Sequence, residues 1–178
     1  MNHKILDKDS RKEITDLFQS VFTSSEGEKE GRLIGKLASE LSLRIDNQEI
    51  ICIGTYTQES LIGAIFFTCL RFKEAIPVYL LAPVAVSTKQ QRKGVGQALI
   101  NYGLNELKKR SVAVLITYGD PLFYSKTGFQ VLSEKVVKAP LQLSRPDGWL
   151  GRSLTEEPIP TLNERPACVK ELNNPLYW

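Results

Sequence analysis

The chain has 178 residues, 42% hydrophobic and 24% charged, the profile of one globular domain rather than of a disordered or fibrous protein. At this length about 70% of the surface of the unfolded chain is buried on folding, so a core forms without disulfide or metal staples. Lys and Arg outnumber Asp and Glu by 23 to 20, a net charge of +3 that is too small to mark a nucleic-acid binder.

From Ser10, apolar residues recur at Ile14, Leu17, Phe18, Val21 and Phe22 with a helical period. Ser10 reads as the N-cap, and Glu13 three residues later as its capping-box partner. Thr23 to Gly31 is a polar break, and a second helix follows over 30–43 with Leu33, Ile34, Leu37 and Leu41 on one stripe. Ile50 to Thr57 and Leu61 to Phe72 read as two strands of a hairpin turning at Glu59 and Ser60. Val78 to Val86 is a third apolar run, broken by Pro83.

Next come Gln91-Arg92-Lys93-Gly94-Val95-Gly96 and a helical pattern through Leu99, Ile100, Leu104 and Leu107 that ends in Lys108, Lys109 and Arg110. Val112 to Thr117 is nearly all apolar, as a central strand buried on both faces should be. Asp120 and Pro121 then read as N-cap and first residue of a short helix, with Gly128 as its C-terminal stop. The tail from Pro140 holds six of the nine prolines and reads as loops with short strands.

Cys52, Cys69 and Cys168 are odd in number and lack CxxC spacing, which argues against a disulfide framework or zinc site and for reduced core thiols. Neither an apolar leader at the N-terminus nor about 18 uninterrupted apolar residues occur anywhere, so a cytoplasmic location is expected. His3, the only histidine, sits at an expected frayed end.

A strand, a glycine turn and a helix start make a device for holding phosphate, because the first helical amides lack internal partners and glycines admit a ligand to the backbone. A P-loop needs Lys after its last glycine, where this chain has Gln97. A dinucleotide fingerprint needs a third glycine where this chain has Leu99, and an acidic residue near 114–118 where there is none. The pyrophosphate of coenzyme A remains.

Gln91-x-x-Gly94-x-Gly96 resembles the Q/R-x-x-G-x-G/A signature of the GNAT superfamily of acyl-CoA-dependent N-acetyltransferases. Phe123-Tyr124-Ser125-Lys126-Thr127-Gly128-Phe129 resembles that family's Y-x-K-x-G-F, and Gly119-Asp120-Pro121 resembles a turn of one bacterial branch. The resemblance implies a single α/β domain over 1–178, with a mixed, mostly antiparallel sheet whose fourth and fifth strands splay apart, flanked by helices. It implies acetyl-CoA as co-substrate, its pantetheine along the backbone of Val84, Ala85 and Val86 and its phosphates on Gln91, Arg92, Lys93, Gly94, Val95 and Gly96. Pro83, unable to donate to a ladder, suits such a splay.

Tyr124 is the implied catalytic acid: a phenol of pKa about 10 stays protonated at neutral pH and can protonate the CoA thiolate as it leaves. An amide of Val84, Ala85 or Val86 is the implied oxyanion donor. The expected reaction is direct acetyl transfer to a small-molecule amine or a protein amino group in a ternary complex, without metal, nucleic acid or membrane, and a homodimer is compatible with it. The strand Val78 to Val86 carries no carboxylate or histidine to serve as base, which leaves Glu30, Glu40 and Glu74 as candidates and a non-catalytic acyl-CoA-binding module as the alternative. The acceptor side is expected from about 20–45 and 140–178. Between Lys89 and Arg110 the charge is +5, divided between Lys89, Arg92 and Lys93 at the helix start and Lys108, Lys109 and Arg110 at its end, where they suit the dipole.

Overall fold

In the computed structural model, which describes residues 1–178, the chain runs β1 (Asn2–Leu6), α1 (Arg11–Glu26), α2 (Glu28–Ser42), β2 (Ile50–Thr57), β3 (Ser60–Leu70), β4 (Val78–Val86), α3 (Val95–Lys109), β5 (Val114–Tyr118), α4 (Pro121–Tyr124), β6 (Gln130–Val131) and β7 (Trp149–Ser153). The seven strands form one mixed sheet in the order β1-β2-β3-β4-β5-β7-β6. β1–β2, β5–β7 and β6–β7 pair antiparallel, whereas β4–β5 pair parallel. This is the α/β architecture expected from the sequence. No helix is long and apolar enough to cross a membrane.

Residue contacts divide the chain into two compact units, Met1–Phe67 with Pro83–Gly103, and Thr68–Ala82 with Leu104–Trp178. In the first unit, adjacent β3 residues face opposite ways, as the period of a strand requires. Phe66 meets Phe18 of α1 at 5.7 Å between ring centroids. Phe67 points the other way, where a Cβ on Gly103 of α3 would stand 2.4 Å from its Cζ. The sheet here is thus covered by α1 on one face and α3 on the other. Helix α1 buries Ile14, Leu17, Phe18 and Val21, the stripe read from the sequence, and α2 buries Ile34, Leu37, Ala38 and Leu41.

Four local expectations are corrected. The polar break at 23–31 is helical except at Gly27, whose φ of +98° lets α1 end and α2 begin at once; polarity there marks the exposed ends of two helices rather than a loop. Ser10 is the N-cap of α1 but makes no side-chain cap bond, and the Glu13 carboxylate accepts a hydrogen bond from the Tyr56 hydroxyl. The hairpin turns at Gln58–Glu59, one residue early, with Gln58 in the left-handed region at φ +55°. His3 is not frayed: it pairs with Thr55 in β1–β2, its Nδ1 lies 2.7 Å from Thr55 Oγ1 and its ring lies 5.1 Å from that of Tyr102.

In the second unit, Trp149 is fully buried and its indole N–H donates to Val137 O at 2.9 Å. Trp178 donates to Leu172 O at 2.8 Å and its ring lies against those of Trp149 and Tyr118, at 6.1 and 6.2 Å. The tail is therefore anchored by aromatic burial, although, as its prolines suggest, regular structure beyond 140 is confined to β7 and short 3-10 turns. Cys52 is buried, Cys69 and Cys168 are half-buried, and all three are free. Burial raises each thiol pKa, which suppresses the thiolate and its reactivity.

Candidate active site

β4 runs unbroken through Pro83, contrary to the break expected there. Its ladder with β5 pairs Val78 to Leu81 with Val114 to Thr117 and ends there, so Pro83 lies beyond the last paired residue, where its missing N–H costs the β4–β5 ladder nothing. Of the three residues expected along a pantetheine arm, Ala85 is buried while Val84 and Val86 are half-buried.

The turn after β4 is built on two left-handed residues, Arg92 at φ +60° and Gly94 at φ +80°. Alternating right- and left-handed backbone turns successive N–H groups toward one concavity, an anion-binding nest. Ala98 N–H is the first amide of α3 to bond back, to Gly94 O at 2.9 Å. The amides of Val95, Gly96 and Gln97 consequently find no carbonyl within the helix and carry the positive end of its dipole. A Cβ added to Gly94 would meet nothing within 4 Å; the space over the turn is open. Gln91, Arg92, Lys93 and Gly94 are exposed, whereas Val95 and Gly96 are buried.

The Gln91 side chain turns back, donating from Nε2 to Val86 O at 3.0 Å, and so fastens the turn to the end of β4. Lys93 Nζ donates to Gln90 Oε1 at 3.4 Å. At the other end of α3, Lys108 and Lys109 lie in the last turn, and Lys109 pairs with Glu106 at 2.7 Å. All of the cofactor-binding candidates, Val84 to Val86 and Gln91 to Gly96, lie in the first unit.

Tyr124 lies in the second unit. Asp120 Oδ1 accepts from Leu122 N at 2.9 Å and Pro121 takes the first helical position, as read from the sequence. Gly128 ends the following 3-10 turn at φ +81°, ψ +13°. Between these punctuation marks α4 carries Tyr124 inward, 8% exposed, with its ring edge-on to Phe123 at 5.0 Å and to Phe129 at 5.6 Å. Burial pushes the phenol pKa up to about 12; the polar Thr117 hydroxyl opposes that and the Asp120 carboxylate adds to it. The side chain is accordingly neutral across the physiological range.

No carboxylate or histidine lies on β4. Glu30 and Glu40 are half-buried on α2, where Glu40 pairs with Lys36 at 3.8 Å, and Glu74 is exposed in a turn. Nothing in the geometry singles one of them out as a base. Thr117, by contrast, was not marked by any motif. Its signal in the sequence is a hydroxyl in an otherwise apolar central strand.

A family model described as the acetyltransferase (GNAT) domain matches residues 3–132. The chain belongs to this GNAT family. Its curated relatives include the uncharacterized N-acetyltransferase YjhQ of Escherichia coli, 28% identical over 93% of this chain and 90% of that protein. YhbS of E. coli is 28% identical over 61% of this chain and 62% of that protein. In structure the chain is similar to the GNAT N-acetyltransferase YhbS of E. coli in complex with CoA, with a TM-score of 0.71, 22% identity and coverage of 86% of this chain and 81% of that one. It is also similar to a GNAT acetyltransferase from Brucella melitensis in complex with acetyl-CoA, with a TM-score of 0.63, 18% identity and coverage of 92% and 94%. The GNAT match spans the glycine turn and Tyr124 and stops short of β7 and the tail.

Proposed function

We propose that this GNAT domain moves the acetyl group of acetyl-CoA to a primary amine by direct attack in a ternary complex. The observation that carries the proposal is the Arg92–Gly94 turn: a nest of open amides at the start of a 15-residue helix, beside the cations of Lys89, Arg92 and Lys93. The turn fits a pyrophosphate in charge, in donors and in the open space over Gly94. Solved GNAT neighbours with CoA or acetyl-CoA bound support the same reading.

Acetyl-CoA brings an acetyl group activated as a thioester. The amides of Val95 and Gly96 and the cations beside them hold phosphate. The backbone of Val84, Ala85 and Val86 orients the pantetheine arm, and one of its amides supports the oxyanion. Tyr124, neutral because it is buried, holds the proton that the sulfur takes as it leaves. No side chain of β4 removes the amine proton, so an acceptor entering as free amine suffices, with water as the sink. The absence of a carboxylate from β4 is also the observation that favours a non-catalytic acyl-CoA-binding module.

Acetyl-CoA turnover against small amines, aminoglycosides and peptides separates the two. The enzyme reading expects turnover of at least one acceptor and a fall in kcat of roughly a hundredfold in Tyr124→Phe, within the range of general acid catalysis. CoA binding without turnover selects the module, and neither binding nor turnover in a folded sample overturns both.

A further inference from the structure

Arg152 stands in β7 level with Leu115 of β5 and is half-buried. A guanidinium stays charged at any physiological pH, so taking it from water is costly unless its donors are met. The partner here is a carbonyl: Nη1 donates to Thr127 O, at the end of the 3-10 turn Ser125–Thr127 that continues α4. The same group covers Gly128, where an added Cβ would stand 3.0 Å from Nη1, 3.1 Å from Cζ and 3.3 Å from Nε. Such nearly equal distances put the face of the guanidinium over the glycine.

The fastened turn in turn holds Tyr124. Thr127 is 3% exposed, and its hydroxyl donates to the Tyr124 carbonyl at 3.0 Å. The Phe129 amide donates to that carbonyl at 3.3 Å, and the Phe129 ring lies edge-on to the phenol at 5.6 Å. Both donors to the Tyr124 backbone therefore belong to the segment that Arg152 ties to β7. Helix α4 spans four residues, too few to be stable by its own hydrogen bonds, so the phenol sits where this anchor places it. The sheet alone would be served by an apolar residue at 152; the turn is what uses the guanidinium.

We infer that Arg152 is a positioning residue for the acetyl transfer: from β7 it fixes the Thr127–Gly128 turn, and through that turn the backbone and ring of Tyr124. The inference rests on the reading of Tyr124 as the acid.

The test compares Arg152→Met, Arg152→Lys and Tyr124→Phe in the full chain, using acetyl-CoA and the most active amine of the panel. Arg152→Met keeps the apolar stem and removes the donor; it is expected to lower kcat about tenfold, the worth of one hydrogen bond, while KM for acetyl-CoA stays unchanged. Arg152→Lys can still donate to Thr127 O but has no flat face for Gly128, and its kcat falls between the two. Adding Arg152→Met to Tyr124→Phe lowers kcat no further. The 13Cζ resonance of Tyr124, assigned by its loss in Tyr124→Phe, moves in Arg152→Met and moves less in Arg152→Lys, with or without an acceptor. The Trp149 indole N–H, bonded to Val137 O, keeps its resonance as the sign that the fold is intact. If Arg152→Met does not fold, Arg152→Lys decides by the same signs.

An unmoved Tyr124 resonance, or a wild-type kcat in Arg152→Met beside an impaired Tyr124→Phe, overturns the role of Arg152 alone. A raised KM for acetyl-CoA with kcat kept overturns it as well, since the arginine then serves the cofactor. An unimpaired Tyr124→Phe overturns the acid itself and the catalytic role of Arg152 with it.

Discussion

Gly119 lies so close to Tyr124 that a Cβ on it would stand 2.8 Å from Cε2 of the ring. The ring is 8% exposed and wedged between Phe123 and Phe129, so it cannot rotate aside without disturbing both. Gly119→Ala is expected to displace the phenol, costing about 1–3 kcal/mol of stability as overpacking does. Steady-state kinetics should show kcat reduced with CoA affinity kept, since Gly119 is remote in sequence from the phosphate turn. An unchanged kcat would remove the claim that this contact places the acid.

Gly94 presents the opposite case, a glycine with open space around it and φ at +80°. An alanine there meets no atom but must adopt a left-handed backbone, which costs about 1–2 kcal/mol. Its methyl group also enters the space through which phosphate would reach the amides. Gly94→Ala is therefore expected to lower the melting temperature and weaken CoA binding in calorimetry, whereas Tyr124→Phe should leave CoA binding nearly intact.

The raised pKa of Tyr124 has a consequence for stability in alkali. The folded protein holds the phenol proton up to about pH 12, whereas the unfolded chain releases it near pH 10. Stability is then complete below pH 10 and declines as pH rises toward 12, by about 2–3 kcal/mol from this group. Tyr56 adds in the same direction, its pKa raised by burial and by its hydrogen bond to Glu13. Urea titrations should show a shallower alkaline decline in Tyr124→Phe, and a shallower one still with Tyr56→Phe added. An identical decline in all three would show that these phenols are not protected.

A third glycine governs the helical pair. A Cβ on Gly31 of α2 would fall 1.9 Å from Thr23 Oγ1 and 2.8 Å from the Thr23 backbone nitrogen in α1. A backbone atom cannot yield as a flexible side chain does, so Gly31→Ala must separate the two helices. A loss of about 2–3 kcal/mol in chemical denaturation is expected, with partial recovery when Thr23→Ala removes the Oγ1 that stands nearest the added methyl.

Much of the local structure was legible in the residues themselves. The stripe on α1, the glycine turn before α3, and the helix framed by Asp120, Pro121 and Gly128 all follow from short-range rules: period, capping oxygen, fixed φ of proline and free φ of glycine. The misread stretches were those whose outcome depends on partners distant in the chain. Glu13 is near Ser10 in sequence yet bonds Tyr56, and His3 looks free until β2 pairs with it. Thr117 is an unremarked strand residue until the register brings it level with Leu81, whose carbonyl accepts its hydroxyl hydrogen bond. The sequence by itself determined where a glycine turn opens a helix and where a phenol follows the fifth strand, because turn and capping chemistry is intrinsic to the residues that carry it. Only the tertiary structure decided that the phenol is buried and which rings hold it, because burial and ring packing are properties of the tertiary fold.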